Sequence, residues 1–357
     1  MSVKLRDVLA TMPVYRPGES PDECEMEGAF KLSSNESPYE PPVAVQRAIE
    51  CTLSELNRYP DYYKEALCDE LAAYYGLPVG MVAVDNGSGT LLQDLVRICC
   101  DAGDEVAYCA PTFAAYEIDV KLAGAVPVVL PLDGSSTFDL DALARAVEPR
   151  TRMIVVCNPN NPTGTYVAAP ALEAFIARVP ADVLVVIDEA YHDFERVEPL
   201  DATLRLLSAH DNVVLLRTFS KALGLAGMRI GYCLAARYLV DAINKTIAEF
   251  SVSSPAQAAA RACLAPEVDA LVKRRVDDIV FQRNRFEQAL AEAHIAYIPS
   301  SANFVMLPTP EPMRLFATFK DAGVITRPFE NPSGVRITIG TAEQMERAAR
   351  ALDIVLL

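Results

Sequence analysis

The chain has 357 residues, 51% hydrophobic and 22% charged, enough apolar content for a large core and about two domains, which excludes a wholly disordered chain. With 32 Lys and Arg against 48 Asp and Glu, the net charge of -16 repels phosphate backbones and anionic lipid surfaces, so neither nucleic acid nor membrane is an expected partner. Nine scattered cysteines without a CxxC pair and three histidines supply neither a metal site nor a disulfide framework, and reduced thiols fit a cytoplasmic protein.

Taken in chain order, Met1 to Ser20 lacks the apolar stretch of a secretory leader, and no later run approaches the roughly 20 apolar residues that cross a bilayer. Residues 1–45 are rich in proline and glycine and read as an extended arm, of the kind that drapes over a partner subunit. Within 46–250, short β-branched runs alternate with helical segments, the pattern of a parallel sheet with crossover helices and hence of an α/β fold. Strands are expected at Met81 to Val84, Glu105 to Tyr108, Val126 to Leu130, Met153 to Cys157, Val183 to Ile187, Val213 to Leu216 and Ile230 to Leu234, with an antiparallel sense open for the last. Residues 251–357 show a long charged helix, Pro266 to His294, and short strands at Phe304 to Leu307 and Val335 to Ile339, a smaller α+β domain.

Ligands of an open parallel sheet sit at the carboxyl ends of its strands, and here these ends are polar. Asn158-Pro159-Asn160-Asn161-Pro162-Thr163-Gly164 follows one strand, Asp188-Glu189-Ala190-Tyr191 the next, and Thr218-Phe219-Ser220-Lys221 the one after. Singly, such segments are turns, caps and solvated pairs; their joint occurrence in consecutive strand ends points to one pocket. A further loop, Asn86-Gly87-Ser88-Gly89-Thr90, ends a strand and opens a helix, which suits a phosphate. Pyridoxal 5′-phosphate (PLP) needs an amine, an anion beside its pyridine nitrogen, and donors for its ring and phosphate oxygens. Lys221 supplies the amine, Asp188 the anion, and Asn161 with Tyr191 the ring-oxygen donors; Gly87, Ser88, Gly89, Ser220 and Arg229, with Thr218 beside them, can hold the phosphate.

The stretches NPNNPTG, DEAY and RTFSKALGLAGMRIGY resemble fold-type I PLP aminotransferases of the histidinol-phosphate and aromatic amino acid aminotransferase subfamily. The likeness runs from MPVYRPG and KLSSNESPY through RYPD to SANFVMLP and GVRITIG. It implies a large, mostly parallel seven-stranded sheet domain with a smaller α+β domain, and a transaminase acting on histidinol phosphate or an aromatic amino acid with 2-oxoglutarate. It also implies that Phe113 stacks on the pyridine and that Tyr59 reaches the cofactor phosphate of the neighbouring subunit in a homodimer. Tyr15 and Asn35 would line the substrate entrance, and Arg336 would bind a substrate anion. Alternation in Val335-Arg336-Ile337-Thr338-Ile339 turns Arg336 away from three apolar side chains, and its guanidinium fork suits a carboxylate or phosphate. Arg327 is a second anion candidate.

Two departures stand out: the phosphate loop reads GSGT where many relatives carry an acidic residue near Gly89 or Thr90, and His192 replaces an apolar or β-branched residue and is read as a packing variant. Rival classes fit less well. A nicotinamide dehydrogenase needs G-x-G-x-x-G, which fails here at the third glycine, and a serine hydrolase needs a G-x-S-x-G elbow, which is missing. A PLP decarboxylase or lyase of the same fold stays open.

Overall fold

A computed structural model describes residues 3–10, 12, 14, 17–19 and 28–356. Its strands are β1 (Phe30–Lys31), β2 (Val82–Asp85), β3 (Glu105–Ala110), β4 (Val126–Pro131), β5 (Thr151–Cys157), β6 (Leu184–Asp188), β7 (Val213–Thr218), β8 (Gly231–Ala235), β9 (Phe304–Pro308), β10 (Val324–Ile325), β11 (Arg327–Phe329) and β12 (Gly334–Thr338). Seven of them form one sheet in the order β2-β8-β7-β6-β5-β3-β4, and β8 runs antiparallel to both β2 and β7.

Burial explains why these runs became strands. Every residue of β6 and β7 is buried, as expected when helices cover both faces of a parallel sheet. At the edge, β4 carries Pro127 and Pro131 and keeps much of its surface exposed, because an edge strand can spare ladder donors. The seven strands expected from sequence are all present, with ends shifted by at most two residues.

Around the sheet lie α1 (Val43–Glu50), α2 (Glu65–Tyr75), α3 (Ser88–Cys99) and α4 (Ala115–Ala123). The long helix expected over Pro266 to His294 spans Pro266–Glu292 and buries Val268, Val272, Val276 and Ile279 at helical spacing. Beyond it, β11-β12-β9 make a small antiparallel sheet, and β1 pairs in parallel with β10. The strands β1, β10 and β11 escape a sequence reading because two or three residues carry no period. Among the described residues no helix is long and apolar enough to cross a membrane.

Candidate active site

The carboxyl ends of β5, β6 and β7 converge. Cys157 and Asp188 are register partners at the last positions of β5 and β6, and Thr218 closes β7 opposite Gly231 of β8. Because β8 is antiparallel, its entry rather than its exit lies on this edge, which brings Arg229 to the same place. A cavity of about 350 Å³ opens there, with Ser88, Gly89, Phe113, Asn161, Asp188, Tyr191, Thr218, Ser220, Lys221 and Arg229 in its wall.

Ser88 begins α3 with the Gly87 N-cap at φ 96° and no side-chain cap, so the first amides of a twelve-residue helix are available to an anion. Gly87 does not line the cavity; a Cβ there would stand 2.8 Å from Arg229 Nη2, so its lack of a side chain admits the guanidinium. On the other side, a Cβ on Gly231 would fall 2.3 Å from Ser88 N, and glycine is what lets β8 approach the loop.

Half-buried Lys221 donates from Nζ to the main-chain carbonyl of Ser34 at 3.0 Å. Burial, then the Arg336 guanidinium, bring its amine down to about 7; Arg229 and Lys31 act in the same sense and Glu36 opposes them. An amine so placed is in good part neutral near pH 7 and can act as nucleophile or base. The Asp188 carboxyl is raised by burial, while the Tyr116 hydroxyl, which donates to Oδ2 at 2.6 Å, and the Ala190 amide, at 3.2 Å from Oδ1, favour the anion.

Tyr191 is likewise raised by burial and keeps its proton; its oxygen accepts from Asn35 Nδ2 at 3.0 Å, so its own O–H remains a donor. Asn161 accepts from Arg336 Nη1 through Oδ1 at 2.5 Å, which makes its NH2 the donor it can offer.

A second cavity of about 160 Å³ adjoins the first through Phe113, Asn161, Tyr191 and Lys221, and adds Asn35, Arg327, Phe329 and Arg336. Arg336, only 6% exposed, has its guanidinium carbon 5.3 Å from the Phe304 ring centre and 5.5 Å from that of Phe329, and donates from Nη2 to Ser33 O at 2.7 Å. Val335, Ile337 and Ile339 are fully buried on the other side of the strand, as the alternation requires. Arg327 is the cross-strand partner of Arg336, lies 5.6 Å from the Phe329 ring centre, and donates to the carbonyl of Pro17.

Not every expected residue joins this cluster. Tyr59 is 80% exposed and stacks on Phe250 at 4.3 Å, outside both cavities of its own chain. Tyr15 lies outside the described residues. Asn35, expected at a substrate entrance, is buried and bonded to both Tyr191 and Thr338. His192 sits behind the wall, its Nδ1 3.0 Å from Glu189 O. Sequence reasoning missed Tyr116, Cys157 and Phe329; the first lies one helical turn from Phe113, a spacing that hints at a shared face.

One cavity thus holds an amine, a carboxylate, two neutral hydrogen-bond donors, an aromatic plate and a helix start beside a guanidinium, a set that suits PLP. Comparisons with known proteins agree. The family model "Aminotransferase class I and II" matches residues 27–352. An aromatic amino acid aminotransferase of Streptomyces coelicolor is 43% identical over 343 residues, 96% of this chain and 94% of that protein. One of Mycobacteroides abscessus is 44% identical over 341 residues, 95% of each. The crystal structure of a histidinol-phosphate aminotransferase from Sinorhizobium meliloti in complex with pyridoxal-5′-phosphate superimposes with a TM-score of 0.87 at 27% identity, covering 99% of this chain and 97% of that one. A match over nearly the whole chain, on a fold and a cavity that suit the cofactor, makes this protein a PLP-dependent transaminase of the class I and II aminotransferase family.

Proposed function

We propose that the enzyme moves the amino group of an aromatic amino acid to 2-oxoglutarate. The observation that carries this reading is the second cavity, where the rings of Phe113, Tyr191 and Phe329 surround an anion seat at Arg336. A flat side chain can lie among these rings while its carboxylate meets the guanidinium fork. Histidinol phosphate is the second reading, favoured by Arg327 next to Arg336, a pair suited to a phosphate.

In this proposal Lys221 would carry the cofactor, Asp188 would partner its ring nitrogen, Phe113 would pack on the ring, and Asn161 and Tyr191 would donate to its ring oxygen. Ser88, Gly89, Thr218, Ser220 and Arg229, with Gly87 behind them, would hold its phosphate. When bound, the cofactor supplies an electron sink beside the substrate's amine. Lys221 Nζ, with its lowered proton affinity, takes the proton from the substrate Cα and returns one after transfer. Asn35 orients Tyr191, and Arg336 with Arg327 orients the substrate anion.

The outward stack of Tyr59 on Phe250 supports a homodimer in which Tyr59 reaches the partner's phosphate seat. The division into an arm (1–45), a large domain (46–250) and a small domain (251–357) belongs to the same reading. So does a cytoplasmic location, which the free cysteines among the described residues support. Initial rates with phenylalanine and with histidinol phosphate, each against 2-oxoglutarate, test the assignment. Faster turnover of phenylalanine is expected, faster turnover of histidinol phosphate selects the second reading, and background rates with both overturn the substrate assignment.

A further inference from the structure

Only one of the two donors on Asp188 described above is main chain. The other, the Tyr116 hydroxyl, belongs to a side chain that is 1% exposed in the first turn of α4. Its ring is fixed edge-on by two neighbours, with ring centres 5.7 Å from Phe113 and 5.9 Å from Tyr108. A phenylalanine would fill this volume without burying a hydroxyl, and a buried hydroxyl costs free energy unless it is partnered. Here the partner is a carboxylate that would itself tend toward the neutral acid in so dry a place.

The other titratable groups around Asp188 do not replace Tyr116. Burial pushes the Cys157 thiol on β5 up to about 12, so it stays neutral. Glu189 is tied to Arg217 at 2.8 Å. Lys221 gives up its proton readily, and Tyr191 keeps its own. Burial and the Asp188 carboxylate also hold the Tyr116 hydroxyl far above the ordinary tyrosine range, so toward Asp188 it acts as a donor.

We propose that Tyr116 is a positioning residue for amino transfer: its hydroxyl fixes Asp188 as an anion, so that the proton Asp188 shares with the cofactor's ring nitrogen stays on that nitrogen. This rests on the reading that Asp188 faces that nitrogen. Without the hydroxyl, the proton passes from the nitrogen to an Asp188 oxygen; the number of protons bound is unchanged and the positive charge on the ring is lost.

The test compares wild type, Tyr116→Phe and Asp188→Asn as holoenzymes. Its readouts are the 15N resonance of ring-labelled PLP and the affinities for PLP and for an analogue with C–H in place of the ring nitrogen. Tyr116→Phe is expected to move the resonance toward unprotonated pyridine and to weaken PLP about tenfold, the scale of a hydrogen bond to a charged group, while leaving the analogue unaffected. An unmoved resonance in Tyr116→Phe, or equal weakening of both ligands, overturns the proposal when Asp188→Asn still alters the resonance. If Asp188→Asn alters neither readout, the reading of Asp188 falls and the proposal with it. Should the phenylalanine variant not fold, 4-fluorophenylalanine at position 116 keeps the ring and fills the hydroxyl's place without a donor, and an unmoved resonance there is equally fatal.

Discussion

Two cations lie four residues apart along β7 and the loop that follows it, and they meet opposite fates. Arg217 is completely buried, donates to Glu189 at 2.8 Å and Asp201 at 2.6 Å, and lies 4.8 Å from the Tyr75 ring centre. Burial alone would lower its guanidinium, yet Glu189, Tyr75, Tyr232 and Asp201 hold it well above the ordinary arginine range. Lys221 instead donates to a neutral carbonyl, and burial, reinforced by the guanidiniums of Arg336 and Arg229, brings it down to about 7. A buried charge given its counter-ions is fixed and serves the fold, whereas one placed among like charges becomes a base near neutral pH.

The contrast is sharpest at Lys221 itself. Lys221→Ala should lower turnover more than about a thousandfold, with loss of the cofactor's visible band, yet leave the melting temperature of the apoprotein no lower than that of wild type. Steady-state rates with calorimetry check both halves, and a strongly destabilised variant would erase the distinction. Arg217→Met should do the reverse, costing about 3–5 kcal/mol of stability because Glu189 is left buried without its partner. Urea unfolding measures this, and a loss below about 1 kcal/mol would show that the pair is not structural.

Acidity gives a third lever. The folded value of Lys221, about 7, lies below the ordinary lysine value of 10.5, so between them the unfolded chain holds the extra proton. The penalty for burying this lysine is full below about pH 7 and gone above 10.5. Wild-type apoprotein should therefore gain stability relative to Lys221→Met as pH rises through this window, by at most about 1.4 kcal/mol per unit. Denaturant melts at stepped pH show whether the gap closes upward, and a gap that widens contradicts the lowered value. The smallest effect is at Thr203, whose hydroxyl donates to Glu189 Oε1 at 2.5 Å; Thr203→Val should cost about 1–2 kcal/mol in urea melts without altering kcat.

Much of this was legible in the residues. The strands announced themselves as β-branched runs, and the polar segments after β5, β6 and β7 marked where Asn161, Asp188 and Lys221 would meet. Arg217 was not legible as a buried group, because a charge near a strand end is normally solvated, and its burial depends on Tyr75 and Asp201 arriving from distant segments. Nor was Tyr116, whose bond to Asp188 depends on how α4 is rotated against the sheet, which tertiary packing decides. Tyr59 could be assigned a role only by resemblance, since nothing in its own chain draws it toward the cavity.

The segment from Phe30 to Asn35 is stitched to the small sheets through Phe30 N to Gly323 O, Leu32 N to Ile325 O and Asn35 N to Thr338 Oγ1, and it offers the Ser33 and Ser34 carbonyls to Arg336 and Lys221. These acceptors are peptide groups, so sequence drift at positions 33 and 34 is silent to both cations as long as the path of the chain is kept. The geometry of the cleft is in this respect inherited from a trace rather than from side chains, and erasing it takes a cut or a rerouting of the chain, not a point substitution.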